Sequence, residues 1–201
     1  MVIHGRQSVV PFSFDLSLLV QRSVATLYSN LVTRPTGRAL RLGIESQIGD
    51  LGSCCLSVLD FTQVVVLDYS CADEAVAKLV LRYLQPDRPA DVYFVGRGLS
   101  EQHRNPIDEV LRRHGLALVA EIADSGYTLL GHATTGELRA WAALQLAGSA
   151  TPDEIADRLA TPGARSIALL ERLVDRRLVL RNAEPAGSTA YIALTSLLPQ
   201  R

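Results

Sequence analysis

The chain has 201 residues, of which 48% are apolar and 20% charged, and a formal net charge of −1. That is ordinary globular chemistry, long enough for one large domain or two small ones. The near-zero charge excludes a broad electrostatic attraction for nucleic acid or for an anionic membrane. No apolar run approaches the roughly 18 residues of a membrane span. The opening residues, with His4, Arg6 and Asp15 around a short apolar patch at 16–20, make a poor signal peptide, so a cytoplasmic location is the expectation. Cys54, Cys55 and Cys71 are an odd set. Adjacent Cys54 and Cys55 on an alternating strand point to opposite faces, which suits reduced thiols in a core.

In chain order, Val9-Val10 and the alternating Phe12 and Phe14 read as strand, and Asp15 as the cap of a helix whose apolar face is Leu16, Leu19, Val20, Val24 and Leu27. Arg34-Pro-Thr-Gly-Arg38 reads as a turn, followed by a helix striped with Leu40, Ile44 and Ile48 and a strand over residues 54–59. Val64-Val-Val-Leu67 is a short buried-looking strand, and Ala72, Ala75, Val76, Leu79, Val80 and Tyr83 then recur at helical spacing. Residues 90–95 make the next strand, with Gly96-Arg-Gly98 as a loop after it. Asn105-Pro106 opens a helix that stops at His114-Gly115, and strands at 116–120 and 127–130 flank an Asp124-Ser-Gly126 turn. The order predicts an α/β sheet covered by helices and ending near residue 131.

The period changes at Asp68-Tyr69-Ser70, where a strand gives way to a helix N-terminus whose unpaired backbone donors favour negative charge. This stretch resembles STAS domains, the sulphate-transporter regulatory domains and anti-sigma-factor antagonists, and more closely their STAS-like bacterial relatives. The antagonists carry Asp-Ser-Ser-Gly after a hydrophobic strand and are phosphorylated on the second serine. Asp68 matches the aspartate and Ser70 that serine, while Tyr69 and Cys71 replace the first serine and the glycine. The resemblance covers residues 34–130. It implies a partner switch at Asp68, Tyr69, Ser70 and Asp73 that engages a regulatory protein of kinase or anti-sigma type.

From residue 134 helices follow in quick succession, over 135–146, 152–159 and 165–177, and a β-hairpin over 178–194 turns at Pro185 to Ser188. Thr151-Pro-Asp-Glu154 is a strong helix opener, with cap, first-turn proline and a glutamate placed to bond back. Helix, helix, helix and hairpin is similar to the winged-helix modules of bacterial regulators, which implies a second domain at 134–201. In DNA-binding members the third helix enters the major groove. Arg165 suits such contact, and Arg172, Arg176, Arg177 and Arg181 supply a local basic patch. The region has eight Arg against seven Asp or Glu, without a concentrated basic face. A winged helix used for protein contact, or for homodimerisation through Leu169, is the other reading.

Ser70, Asp68, His103 and His114 are the residue types of a hydrolase triad, yet no Gly-x-Ser-x-Gly elbow surrounds the serine. Gly96-Arg-Gly98 lacks the third glycine of a dinucleotide site, and the histidines are not spaced for zinc. The expectation is therefore a non-enzymatic regulator without cofactor, metal or membrane contact. It acts through the STAS-like domain over residues 1–131, and the alternative is a transcription regulator that binds DNA through its C-terminal winged helix.

Overall fold

The computed structural model describes residues 21–51, 54–183 and 189–199. Its elements run β1 (Gln21–Thr26), β2 (Asn30–Leu31), α1 (Arg34–Gly49), β3 (Cys54–Asp60), β4 (Val66–Leu67) and α2 (Tyr69–Ala72). A π-helical turn (Asp73–Ala77), α3 (Lys78–Leu84), β5 (Asp91–Leu99), α4 (Glu101–Arg113), β6 (Ala117–Ile122) and β7 (Gly126–Gly131) follow. The remainder is α5 (Thr135–Ala147), β8 (Ser149–Ala150), α6 (Pro152–Leu159), α7 (Gly163–Asp175), β9 (Val179–Ala183), β10 (Thr189–Ala193) and a 3-10 turn (Leu194–Leu197). The strands expected around Val9 to Phe14, the helix cap at Asp15 and the Pro185 to Ser188 turn lie outside the described residues.

Strand order in the main sheet is β1-β3-β5-β6-β7, with the first four parallel and β7 antiparallel at the edge. Because the parallel strands are laid down in chain order, crossovers of one hand place every connecting helix on the same face. Ile44 and Ile48 of α1, Leu79 and Tyr83 of α3, and Ile107 and Leu111 of α4 accordingly share one cluster with Cys55, Val92, Phe94 and Leu118. The other face, Leu56, Val95, Ala117, Val119 and Leu129, still needs cover, and the C-terminal segment supplies it with Trp141, Leu144, Leu170 and Leu173. Burial from both sides explains why β3 reads as an almost unbroken apolar run. It also divides the cysteines, with Cys55 in the first cluster and Cys54 at the edge of the second.

Four local expectations are corrected. Residues 21–26 form β1 rather than the end of a helix: Ser23 and Ala25 alternate inward, and β1 pairs in parallel with β3 from Gln21↔Cys55 to Thr26↔Asp60. A spacing that fits a helical face is here overridden by a pairing more than thirty residues distant. Arg34-Pro-Thr-Gly-Arg38 is the first turn of α1, where proline is well accommodated. Gly96-Arg-Gly98 lies inside β5, whose register against β6 shifts between Gly96 and Leu99. Gly98 has φ 66, and a Cβ there would sit 2.4 Å from Thr62 Cγ2. Finally, α4 begins at Glu101 with Ser100 as cap, so Pro106 falls inside the helix.

In the C-terminal segment, Thr134/Glu137 and Thr151/Glu154 form reciprocal capping boxes on α5 and α6. The buried face of α5 is Glu137, Ala140, Trp141 and Leu144, which leaves Leu138 outside. Ser149–Ala150 adds a third strand to the hairpin, in the order β8-β10-β9. Helix α7 stops at Asp175, so Arg176 is its cap and Arg177, at φ 56, has left it.

Candidate functional site

Asp68 joins two stretches of chain, residues 31–33 and 68–71, at the C-terminal end of the sheet. Its own N–H donates to the Leu31 carbonyl at 3.0 Å. Its Oδ2 accepts from the Thr33 N–H at 2.8 Å, and Oδ1 accepts from the Cys71 N–H at 2.6 Å and from the Ser70 hydroxyl at 2.9 Å. Burial pushes this carboxyl up, but the Thr33 and Cys71 amides and the Ser70 hydroxyl outweigh it and hold it below its usual value. Asp68 is thus an ionised N-cap, and Ser70 a half-buried donor to it. A phosphoryl group on Ser70 would remove that donor and set up to two negative charges beside the carboxylate.

Around the turn lies exposed apolar surface. Tyr28 is 69% exposed, Val65 61%, Tyr69 51%, Val66 46% and Val32 38%. Val32, Val65 and Val66 are brought together because β2 pairs with β4, Asn30 against Val66 and Leu31 against Leu67, while Tyr28 lines a groove with Val24, Leu40 and Gln47. The Val65 and Val66 amides also share the Ser29 carbonyl, at 2.7 and 3.1 Å. Alternation turns Leu31 and Leu67 into the core and leaves Val32 and Val66 outside. The expectation that residues 64–67 form a buried strand is therefore corrected: Val64 and Leu67 are buried, Val65 and Val66 are not.

Asp73 is corrected as well. The sequence places it with Asp68 and Ser70 on an accessible turn, but Asp73 and Glu74 are 8% and 5% exposed in the π-turn. Asp73 pairs with His114 at 2.8 Å and Arg34 at 3.1 Å; Glu74 pairs with Arg34 at 2.9 Å, with Lys78, and with Arg41 at 3.8 Å. Burial raises Asp73, yet His114 and Arg34 hold it below the usual carboxylate value; for Glu74, Lys78 is the dominant lowering influence. These acids lock α1 and α4 to the π-turn and take no part in an accessible surface. Gly37 makes the approach of α1 feasible, since a Cβ on it would lie 2.7 Å from the Cys71 carbonyl oxygen.

The candidate triad residues fall into separate pairs. Ser70 bonds Asp68, His103 bonds Ser100, and His114 bonds Asp73. Burial pushes the Cys55 and Cys71 thiols up to about 11, so both are protonated and unreactive at neutral pH. Among the described residues no group of three His, Cys, Asp or Glu is placed to hold a metal ion, and no helix is long and apolar enough to cross a membrane.

The arginines proposed for DNA divide in two. Arg176 donates to the His132 carbonyl and lies 3.4 Å from Glu137, and Arg177 reaches Asp91 at 2.6 Å with its guanidinium 5.2 Å from the Tyr93 ring centroid. Both fasten the end of α7 to the sheet, and Arg181 pairs with Glu171 at 3.1 Å. Arg165 and Arg172 remain exposed on α7. Arg165 shares a groove of about 150 Å³ with Arg139, Leu159, Thr161 and Leu169, a neighbour the sequence did not indicate because it lies on another helix. Comparison of the chain with protein families, with curated proteins and with solved structures finds no match.

Proposed function

We propose that the protein is a non-enzymatic regulator that binds a protein partner through the Asp68 turn, with Ser70 as the switch. The observation that carries this reading is the exposed apolar set Val32, Val65 and Val66 on the paired β2–β4 segments, with exposed Tyr69 beside the half-buried Ser70 in sequence and Tyr28 two residues before β2. Exposed apolar surface of this kind, flanked by polar groups, is what partner docking uses. The resemblance of residues 34–130 to STAS-like domains supports the same role and a partner of kinase or anti-sigma type. Phosphorylation of Ser70 would oppose Asp68 directly, because Arg34, Arg41 and Lys78 already satisfy Asp73 and Glu74. The repulsion would loosen the Asp68 bonds that hold the patch together, and the partner would leave. Partner binding by the full chain tests this: Val65→Asp and Ser70→Asp abolish it while Ser70→Ala keeps it. Unchanged binding in the first two overturns the reading.

A second reading, a DNA-binding regulator, is favoured by the convergence of Arg139 and Arg165 on one groove, by exposed Arg172, and by the order of three helices and a three-stranded sheet that resembles a winged helix. It expects a salt-dependent affinity for duplex DNA that falls with Arg139→Ala and Arg165→Ala and not with Val65→Asp.

A further inference from the structure

Helix α4 opens on an unusual capping box, in which a histidine stands where glutamate or glutamine is the common choice. The Ser100 N–H donates to His103 Nδ1 at 3.2 Å, and the Ser100 hydroxyl lies 3.1 Å from the same nitrogen. Nδ1 is an acceptor, so the proton sits on Nε2 and the ring is neutral. The side chain is 2% exposed, with its ring centroid 6.1 Å from that of Phe61. Nε2 faces the Val64 carbonyl without a hydrogen bond of ordinary geometry.

Over this ring runs the strap of residues 61–66. The Val64 N–H bonds the Phe61 carbonyl at 2.9 Å, and Gln102 Nε2 donates to the Val65 carbonyl at 3.0 Å, so the first turn of α4 holds the strap from below. Burial pushes His103 below the ordinary imidazole value. The charged groups described on elements packed against α4 are engaged elsewhere: Asp73 with His114 and Arg34, Glu74 with Lys78, Asp68 with Thr33 and Cys71, Asp91 with Arg88 and Arg177, and Arg97 with Asp60, while Glu121 accepts from the Gly98 N–H. On α4 itself Glu101 pairs with Arg104, Asp108 with Arg112 and Glu109 with Arg113. Among the described residues a charge on His103 would have no counter-ion in this arrangement.

We infer that His103 is a proton-sensitive latch beneath residues 61–66. Protonation occupies Nδ1, the Ser100 amide loses its acceptor, and the strap lifts so that the charged ring reaches water. Val65 and Val66 of the apolar patch ride on this strap, so acid dismantles the patch. That consequence rests on the docking reading above; the latch does not. Because burial holds the closed ring below the value it takes when exposed, the opening equilibrium rises as pH falls from 7.5 to 5.0, with about 30-fold as the ceiling, reached only if the closed ring stays neutral throughout.

Amide hydrogen exchange on the full chain, corrected for intrinsic rates, tests the latch at pH 7.5, 6.5 and 5.0. Amides of residues 61–66 are expected to open more readily than those of β3 and β6 at every pH, with a several-fold rise toward pH 5.0 that does not exceed about 30-fold. His103→Gln keeps a capping side chain that cannot titrate and flattens the rise, whereas His114→Gln retains it. Strap amides that exchange at the rate of β3 and β6 throughout, or an undiminished rise in His103→Gln, overturn the inference. Should that variant fail to fold, the imidazole nitrogen shifts of the wild-type protein decide: a neutral Nε2–H ring at pH 7 supports the latch, and a charged or Nδ1–H ring refutes it. Partner binding unaffected by Val65→Asp at pH 7.5 would end the docking reading and leave this result untouched.

Discussion

The Thr33 amide donates to Asp68 Oδ2 at 2.8 Å, joining the residue before α1 to the residue before α2 across 35 positions of sequence. One carboxylate therefore caps a helix and holds the two short strands β2 and β4 in the register that presents Val32 and Val66 together. Asp68→Ala leaves the Thr33 and Cys71 amides without their acceptor. The expected loss is about 1–2 kcal/mol, read as a lower denaturant midpoint at unchanged slope. Asp68→Asn keeps an acceptor oxygen and should lose less.

Two glycines of α1 should respond in opposite directions. A Cβ on Gly37 meets the Cys71 carbonyl oxygen at 2.7 Å and the Cys71 Cα at 2.9 Å, backbone that cannot turn aside. Gly37→Ala is expected to cost about 1–3 kcal/mol, as overpacking does. Gly43 has open space at its Cβ position, so Gly43→Ala should stabilise by about 0.5–1 kcal/mol through helix propensity. Paired denaturation curves compare them directly.

Acid should unfold the protein through its carboxylates. Burial raises Asp60, but the Arg97 guanidinium and the Thr62 amide and hydroxyl outweigh it and hold it low. Asp68, Asp73, Glu74 and Glu137 are lowered too. A carboxyl with a depressed folded-state pKa contributes stability that is present above its unfolded value, about 4, and lost as pH falls through the folded value. Stability measured in denaturant should thus decline steeply below about pH 4, and Asp60→Asn should soften the decline. A flat profile from pH 5 to pH 2 would contradict this.

Arginines on and just after α7 should separate by role. Arg176→Ala removes bonds to the His132 and Gly115 carbonyls and leaves Glu137, 4% exposed, without its cation, for an expected loss of about 1–3 kcal/mol. Arg165→Ala, on an exposed position, should stay within about 0.5 kcal/mol of the parent. Thermal or chemical denaturation of the two variants under one set of conditions gives the comparison.

Local chemistry was legible in the sequence wherever a few adjacent residues decide the outcome. The Thr151-Pro-Asp-Glu154 opener and the apolar run of β3 form as their residues dictate, whereas the cap expected of the Ser70 hydroxyl falls to Asp68, which Ser70 only supports. What was not legible depends on distant chain. The spacing of Val24 and Leu27 suits a helix, but pairing with β3 makes 21–26 a strand. Arg176 and Arg177 look like phosphate ligands until the Asp91 and Glu137 side chains are brought to them from the sheet and from α5. Asp73 looks exposed until Arg34 and His114, about forty residues away on either side, close over it. The apolar patch escaped notice for the same reason, since Val32 and Val66 come together only through the pairing of β2 with β4.

The most direct test of the docking role is affinity capture from the native cell lysate, with and without nuclease, using the full chain and its Val65→Asp, Ser70→Asp and Arg165→Ala forms side by side. A defined protein held by the parent and by Arg165→Ala, and lost from both Val65→Asp and Ser70→Asp, is the expected result. Recovery that is indifferent to Val65 and Ser70, or that disappears with nuclease or with Arg165→Ala, would contradict it and point to DNA.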